Sequence, residues 1–314
     1  MRISGLHIFE VTKPNMISVH FRTAVLACLL TLPSATGAQT LDKIKNNGTV
    51  TIGYFDFQVP ISYADASKSA IGYHIQVCEA IVEKAKETLG LSKLNIRYVP
   101  VTNASNVALL ANGTIDLACG GQTHTADREQ YVAFATTTYL SRIAILHRAA
   151  APLDSIASLK GRSVVLSAGT LTSKRLMEIS FNEGLALKLV PTKTPTEAFK
   201  VFEAGQADAY VASETTLAAL VARTNNPSLY SISETPLYKA PWALMLRKND
   251  HQFKQLADQT IAELFASGRI GEIYKRWFQM PIPPDGIVLN IPIRPELQRL
   301  FSHPTDSARP QDYE

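Results

Sequence analysis

The chain has 314 residues, of which 46% are hydrophobic and 18% charged, which suffices for one large domain or two of ordinary size. Its formal charge at pH 7 is only +4, and its basic residues are dispersed rather than clustered with aromatic residues. This distribution argues against nucleic acid as a partner.

Residues 1–38 have the composition of a secretory signal peptide. A basic segment ending at Arg22 precedes the short apolar stretch 23–33, and the small residues 34–38 offer a cleavage site after Ala38. Met16 is an alternative start to Met1. The apolar stretch is too short to span a bilayer. We therefore expect export to the periplasm and a mature chain of residues 39–314.

Strand and helix patterns alternate in the first part of the mature chain, which indicates an α/β architecture with a largely parallel sheet. The predicted strands cover residues 50–53, 94–100 and 115–119, and the predicted helices cover residues 72–89 and 103–112.

The long β-rich run 139–147 separates this part from a second alternating series. That series has predicted strands at 163–166, 187–190 and 209–212, and predicted helices at 172–182, 195–204 and 214–224. Residues 242–246 are predicted to cross back, and helices at 251–267 and 270–278 to pack on the first unit. Beyond Pro281 we expect an extended segment whose last dozen residues are disordered.

Cys78 and Cys119 are the two cysteines of the mature chain. Cys78 falls on the apolar face of the first long helix, and Cys119 falls at a strand end. In an oxidising compartment the two thiols could pair. We expect two separate buried thiols, with a disulfide as the alternative.

A hydroxyl and a guanidinium lie five residues apart just past the predicted strand 115–119. Thr123 and Arg128 follow Gly120 and Gly121, which let the backbone approach a ligand closely. Arginine pairs with both oxygens of a carboxylate, so the element suits carboxylate capture. Taken alone, it is better explained as a surface arginine after a glycine turn.

Further motifs between residues 41 and 284 favour the carboxylate-binding role of Arg128, because they occur in the order found in one protein family. They include Leu41-Asp42-Lys43-Ile44, Val59-Pro60-Ile61-Ser62-Tyr63, Leu109-Leu110-Ala111-Asn112-Gly113, Leu159-Lys160-Gly161, Gly205-Gln206-Ala207-Asp208-Ala209 and Lys275-Arg276-Trp277-Phe278. With these, the chain resembles the family 3 extracytoplasmic solute-binding proteins, the amino-acid receptors of bacterial ABC importers. Residues 109–113, Cys119-Gly120 and 281–284 are most similar to the glutamate/aspartate-binding branch.

The resemblance implies a two-lobed α/β fold, the type II periplasmic binding protein fold, in which a hinge of two crossings joins the lobes. Lobe one would comprise residues 39–141 and 242–314, and lobe two residues 142–241. It also implies a monomer that captures an amino acid or related small carboxylate between the lobes and delivers it to an ABC-transporter permease. No cofactor or metal is expected.

The carboxylate clamp implied by the resemblance comprises Arg128, the Thr123 hydroxyl and the Gly121 backbone in lobe one. In lobe two, Thr170 and Thr172 stand at a predicted helix start, where free N–H groups suit the same carboxylate. An ordinary helix cap by Thr170 is compatible with this role.

The acceptor for the ligand's ammonium group is ambiguous. The family usually places an aspartate where Ser213 stands, and Glu214 follows it. Glu214 either takes over the ammonium or only stabilises the start of the next helix, whose positive end favours an acid.

The side-chain pocket departs most from the glutamate/aspartate branch, which has arginines where Phe55 and Asn106 stand and an acid where Ala118 stands. The loss of these cations argues against an acidic ligand side chain. The first strand-end loop instead offers an aromatic wall on which an apolar or cationic side chain packs, and at least one of its aromatics is expected in the core. The candidates are Tyr54, Phe55 and Phe57, with Asp56, Gln58 and Asn106 as polar residues.

Enzymatic chemistry has little support in the sequence. No His, Cys, Asp or Glu set has metal-ligand spacing, and no nucleophile-elbow motif accompanies a serine. His124 and His147 are interpreted as incidental, and Trp242 and Trp277 as structural. The alternative function is a dehydratase acting on a small cyclic carboxylic acid, as in a few members of this fold. Glu214 and Asp56 would be its only evident acids.

Overall fold

The computed structural model describes residues 39–313, so the predicted signal peptide, residues 1–38, lies outside the described residues. Two β-sheets, of five and six strands, are flanked by helices and form two lobes, and a third sheet has three short strands. No helix in the described part of the chain is long and apolar enough to cross a membrane.

The chain first builds most of lobe one. The elements of this part are α1 (Thr40–Asn47), β1 (Thr49–Tyr54), β2 (Phe57–Gln58), β3 (Ser62–Ala64), β4 (Ala70–Ile71), α2 (Tyr73–Thr88), β5 (Asn95–Pro100), α3 (Asn106–Ala111), β6 (Leu117–Ala118), α4 (Ala126–Glu129) and β7 (Val132–Phe134).

The chain then crosses to lobe two and returns. The elements of this part are β8 (Tyr139–Arg148), β9 (Ser163–Ser167), α5 (Leu171–Asn182), β10 (Lys188–Thr192), α6 (Pro195–Glu203), β11 (Ala209–Ser213), α7 (Glu214–Val221), β12 (Tyr230–Ile232) and β13 (Tyr238–Trp242). After the return come β14 (Met245–Arg247), α8 (His251–Ala266), α9 (Arg269–Phe278) and α10 (Pro295–Ser302).

The sheet of lobe one has the strand order β5-β1-β6-β14-β7. Strand β1 pairs in parallel with β5 and β6, whereas β14 is antiparallel to β6 and β7. Helices α2, α8 and α9 cover one face with a large apolar core, and a smaller core around Phe55 fills the other. A largely parallel sheet was predicted for this lobe. The observed sheet is mixed, because β14, the strand formed after the chain returns from lobe two, is antiparallel to its neighbours.

The sheet of lobe two has the order β10-β9-β11-β8-β12, with β13 also paired to β8. Strand β9 is parallel to β10 and β11, so these strands end at the same edge of the sheet. Helix α5 packs on one face and helices α6 and α7 on the other. The loops at the shared strand end therefore lie side by side, as parallel α/β units require.

Two antiparallel strands carry the chain between the lobes. Strand β13 pairs with β8 from Tyr238 opposite Ile143 to Trp242 opposite Tyr139. The return crossing was predicted at residues 242–246, but it begins at Tyr238, and β14 is a separate strand of lobe one. The break falls at Ala243, whose N–H donates to the Gln122 carbonyl and turns the chain into the first lobe.

Helix bounds follow local capping. A threonine, serine or aspartate side chain accepts a backbone N–H at the first turn of α4, α5, α6, α7 and α8. Gly72 precedes α2 at φ 134°, a conformation open to glycine, and a Cβ there would lie 2.5 Å from the Ile61 carbonyl oxygen. The predicted helix 103–112 begins only at Asn106, because Thr102 and Ser105 bond each other in a turn.

The C-terminal residues were expected to be disordered, and the structure contradicts this. Tyr313 is buried, and its hydroxyl lies 2.8 Å from the Thr137 hydroxyl. The Thr137 N–H also donates to the Thr305 carbonyl at 3.0 Å. The tail is ordered because a buried aromatic ring anchors it beside the start of the first crossing.

The cysteines also differ from expectation, because Cys78 and Cys119 form a disulfide. Helix α2 packs over the sheet so that its buried face meets the residue just past β6. The two Cα atoms lie 6.4 Å apart, within the bridging range. The prediction of two separate thiols is therefore wrong. It placed Cys78 correctly on the buried face of a helix and Cys119 at a strand end, but it did not foresee that the two residues are in contact.

Candidate functional site

A cavity of about 260 Å³ lies between the two sheets and is lined by both lobes. This volume is close to the lower end for small-molecule sites. Lobe one contributes the loop after β6, and lobe two contributes the loop before α5 and the end of β11. Of the residues predicted for the site, the lining contains Arg128, Thr123, Gly121, Thr170, Thr172, Ser213 and Phe57.

Arg128 is held in place by its own loop. Its Nη1 donates to the Thr123 carbonyl at 2.8 Å, and its backbone N–H donates to the Thr125 hydroxyl that caps α4. Burial lowers the pKa of Arg128, but the guanidinium remains charged at neutral pH. Among the ion pairs of residues 39–313, none involves Arg128. The cleft therefore holds a partly desolvated cation whose remaining donors are suited to an anion.

Gly121 is required by its neighbours. A Cβ at this position would lie 2.7 Å from the Trp242 ring. The Gly121 N–H, predicted to face a carboxylate, donates to Gln58 Oε1 at 2.8 Å. Gln58 also lines the cavity, and its hydrogen bond holds the backbone of the loop that contains Gly120 and Gly121.

The start of α5 faces the cavity from lobe two. The Thr170 hydroxyl accepts from the Ser173 N–H at 3.1 Å and donates to the Ser167 carbonyl at 2.9 Å, so it is a helix cap. The N–H groups of Leu171 and Thr172, in the first turn, have no intrahelical acceptor. Both residues line the cavity. The positive end of the helix therefore faces Arg128 across the cleft.

The predicted aromatic wall is only partly realised. Tyr54 is buried edge-on against Tyr98, with ring centroids 6.2 Å apart, and Phe55 is fully buried in the core around Val101. Neither lines the cavity, because Tyr54 belongs to β1 and the Phe55 ring packs behind Gly120. Phe57, 49% exposed, does reach it.

Glu214 lies outside the cavity and has strong partners of its own. Its Oε1 accepts from Arg294 Nη2 at 2.6 Å, and its Oε2 lies 3.4 Å from Arg142 Nε. Ser213 lines the cavity, and its hydroxyl accepts from the Thr216 N–H as the cap of α7. Of the two readings of Glu214, the structure supports a structural carboxylate rather than a ligand contact.

Of the other polar candidates, Gln58 lines the central cavity, whereas Asn106 and Asp56 do not. Asn106 is buried, and its Oδ1 accepts from the Val107 N–H at 2.7 Å. Asp56 is exposed and lines an adjoining outer cavity of about 360 Å³. Neither lines the central cavity.

The two histidines predicted as incidental lie away from the cavity. His124 stacks on Phe134 with ring centroids 4.1 Å apart, and His147 pairs with Asp154 at 3.1 Å. Within residues 39–313, no group of three or more His, Cys, Asp or Glu residues could hold a metal ion.

Among the lining residues that were not predicted, two contribute most to the character of the cavity. Trp242, interpreted as structural, ends β13 and also forms a wall of the cavity. Lys193 follows β10 at the edge where parallel strands end. The strand-end position of Lys193 was visible in the sequence and could have identified it.

Comparison with known proteins gives a consistent result. Residues 50–280 match the family described as "Bacterial extracellular solute-binding proteins, family 3". The chain is 33% identical over 303 residues to an L-glutamate/L-aspartate-binding protein of Pseudomonas aeruginosa, covering 95% of this chain and 98% of the relative. It is 31% identical to a glutamate/aspartate import solute-binding protein of Escherichia coli, covering 91% and 97%.

Among solved structures, a mutant of ArgBP from T. maritima superposes with a TM-score of 0.65 at 23% identity. The superposition covers 76% of this chain and 98% of that one. This confirms the expected two-lobed α/β fold.

Proposed function

The chain belongs to the family 3 bacterial extracellular solute-binding proteins, and we propose that it captures an amino acid or related small carboxylate between its lobes and delivers it to an ABC-transporter permease. The observation that carries this proposal is the partly desolvated Arg128 guanidinium, which faces the start of α5 across the cleft. A carboxylate there would meet a bidentate donor from lobe one and free N–H groups from lobe two.

The clamp explains why binding would close the cleft. In an open form, a ligand would contact Arg128 and Thr123 or the Thr170–Thr172 turn, but not both sets. Because the closed form contacts the ligand from both sides, the ligand shifts the population toward it. The paired crossings β8 and β13 would carry this motion, with lobe one assigned to residues 39–141 and 242–314 and lobe two to residues 142–241.

The relatives from Pseudomonas aeruginosa and Escherichia coli are binding proteins, which supports transport over catalysis. A dehydratase would need an acid beside its substrate, but Glu214 is ion-paired outside the cavity and Asp56 is exposed at its outer side. We propose a periplasmic monomer whose partners are its ligand and an inner-membrane permease.

A thermal-shift screen of residues 39–314 tests this function. The protein is stripped of carried-over ligand by unfolding and refolding, then screened against the standard amino acids and their des-amino counterparts. A ligand that binds only the folded state raises the melting temperature. Selective stabilisation by a subset of these carboxylates is expected, and no stabilisation by any of them would overturn the proposal.

Uptake tests the delivery step. Cells in which this gene is deleted should lose uptake of the radiolabelled ligand found by the screen, and the wild-type gene should restore it. Unchanged uptake in the deletion strain would contradict a role in transport.

A further inference from the structure

The charge that lines the central cavity is entirely positive. Arg128 projects from lobe one and Lys193 from lobe two, and the lining includes no aspartate or glutamate. The free N–H groups at the start of α5 add to the same sign. The cavity therefore presents a cationic surface from both sides.

Four carboxylates adjoin lining residues in sequence, and none of them lines the cavity: Asp56, Asp127, Glu129 and Glu214. Glu214 follows the lining residue Ser213, yet it is paired with Arg294 and Arg142, and two guanidinium groups neutralise it. Arg142 belongs to the crossing strand β8, and Arg294 immediately precedes α10. Because both partners are built into the framework, Glu214 could turn to a ligand only by breaking both contacts, which would leave Arg294 without its carboxylate.

Several neutral oxygens of the wall already have hydrogen-bond donors. The Ser213 hydroxyl accepts from the Thr216 N–H, the Thr170 hydroxyl from the Ser173 N–H, and the Thr123 carbonyl from Arg128. An α-ammonium group in this cavity would lose its hydration and face two cations without a carboxylate. Such a group is disfavoured by desolvation and by like charge.

We propose that the site selects small carboxylates that lack an α-ammonium group, and dicarboxylates above all, with one carboxylate on Arg128 and the second directed toward Lys193. This inference rests on the proposed function. Lys193 is exposed at the boundary between the central cavity and the outer one, so a second carboxylate would meet a hydrated point charge there.

Calorimetry with matched pairs tests the selectivity. The pairs are L-glutamate with glutarate, L-aspartate with succinate, and L-phenylalanine with 3-phenylpropanoate. In the tightest-binding pair, the compound without the amine should bind at least roughly tenfold more tightly. A smaller ratio, or a preference for the amino acid, overturns this inference and leaves the proposed function standing. Failure of every amino acid and des-amino carboxylate in the thermal-shift screen overturns the proposed function itself, and this inference with it.

A pair of substitutions at Ser213 isolates the effect of charge. Ser213→Asp and Ser213→Asn both retain a side chain that caps α7 and both lose the hydroxyl, but only aspartate adds a negative charge to the wall. Relative to Ser213→Asn, Ser213→Asp should shift the ratio of affinities by at least roughly tenfold toward the aminated member of the best pair. Equal ratios in the two variants overturn the inference.

Lys193→Gln provides a second measurement if Ser213→Asp fails to fold. It should weaken binding of succinate or glutarate by roughly tenfold and binding of 3-phenylpropanoate by less. Lys188→Gln is the matched control, since Lys188 is an exposed lysine at the opposite end of the same strand. Equal losses for dicarboxylates and the monocarboxylate overturn the role of Lys193.

Discussion

Oε1 of Glu214 lies 2.6 Å from Nη2 of Arg294, which joins the first residue of α7 to the segment that wraps back before α10. Arg142 lies on the other side of the same carboxylate at 3.4 Å, and Glu296 lies 3.3 Å from Arg142. These charges form one largely buried network at the base of the crossings. The Glu214–Arg294 ion pair therefore links lobe two to the C-terminal segment.

Glu214→Gln should destabilise the protein by about 3 kcal/mol, because Arg294 loses its carboxylate while Arg142 keeps Glu296 at 3.3 Å. Urea unfolding measures this loss. Glu263→Gln is the matched control: its ion pair with Lys84 is largely exposed, and its loss should leave the stability nearly unchanged. Unchanged stability with a loss of ligand affinity in Glu214→Gln would instead assign Glu214 to the ligand.

Arg128→Ala should cost about 2–5 kcal/mol of binding free energy for the ligand found by the screen, because its carboxylate loses a bidentate partner. Calorimetry gives the change in Kd. Arg162→Ala removes an exposed arginine paired with Asp208 at 3.8 Å and should bind as the wild type does. Equal affinities in the Arg128 and Arg162 variants would rule out the clamp.

Gly121→Ala should weaken ligand binding by roughly tenfold or more, because its Cβ would lie 2.7 Å from the Trp242 ring, and the wall must move. Trp242 has little room to yield, since its ring lies 5.6 Å from that of Tyr139. At Gly271, inside α9, an added Cβ meets no atom within 4 Å. Gly271→Ala should preserve affinity and raise stability by about 0.5–1 kcal/mol. Wild-type affinity in Gly121→Ala would contradict this prediction and show that the Trp242 ring can move to accept the methyl group.

Reduction of the Cys78–Cys119 disulfide should lower the free energy of unfolding by about 4 kcal/mol, the loop entropy expected for a sequence separation of 41 residues. Urea unfolding with and without reductant measures the effect. A variant with alanine at both cysteines should not respond to reductant. Two reactive thiols in denatured, unreduced protein of residues 39–314 would disprove the bond.

Stability should fall as the pH drops from about 6.5 to 4. Burial lowers the pKa of His74 to about 4, while its Nδ1 lies 2.8 Å from the Gly120 carbonyl and its Nε2 lies 2.9 Å from the Thr138 hydroxyl. Above pH 6.5 the His74 imidazole is neutral in both the folded and the unfolded chain. Between pH 6.5 and 4 it binds a proton only in the unfolded chain. His74 thus removes about 3 kcal/mol across the window. Burial also lowers the pKa of His124, which adds in the same direction.

Urea unfolding between pH 8 and 5 checks this sign. His74→Asn should be less stable at pH 8 but show a flatter dependence on pH, whereas His303→Asn, at an exposed position, should follow the wild type. A slope unchanged by His74→Asn would mean that this histidine is not the group responsible.

Local patterns were sufficient to predict most of the fold. The strand pattern of residues 50–53 predicted β1, and the apolar face from Ile75 to Ala85 predicted α2, because both signals lie within a single element. The shorter elements were less well defined: β6 covers only Leu117–Ala118, although the apolar run is longer. Bonds from the Asp116 and Cys119 N–H groups to the Thr51 and Gly53 carbonyls extend its pairing with β1 by one residue at each end.

Site residues could be predicted only where side chains of suitable chemistry lie close together in the sequence. Arg128 and Thr123 belong to one short loop, so their proximity follows from the sequence. Phe55 and Phe57 are equivalent by residue type, and only packing decides that one enters the core and the other the cavity. The partners of Glu214 lie 72 and 80 residues away, and no local pattern encodes such contacts.

The position of the disulfide matters for how the protein is produced. Cys119 immediately precedes Gly120 and Gly121, so the covalent link to α2 anchors the backbone that carries one side of the cavity. Protein made recombinantly in a reducing cytoplasm would enter an assay with that loop untethered. Its affinities would then include the entropy of ordering the loop, and different preparations would disagree according to their oxidation history rather than their sequence.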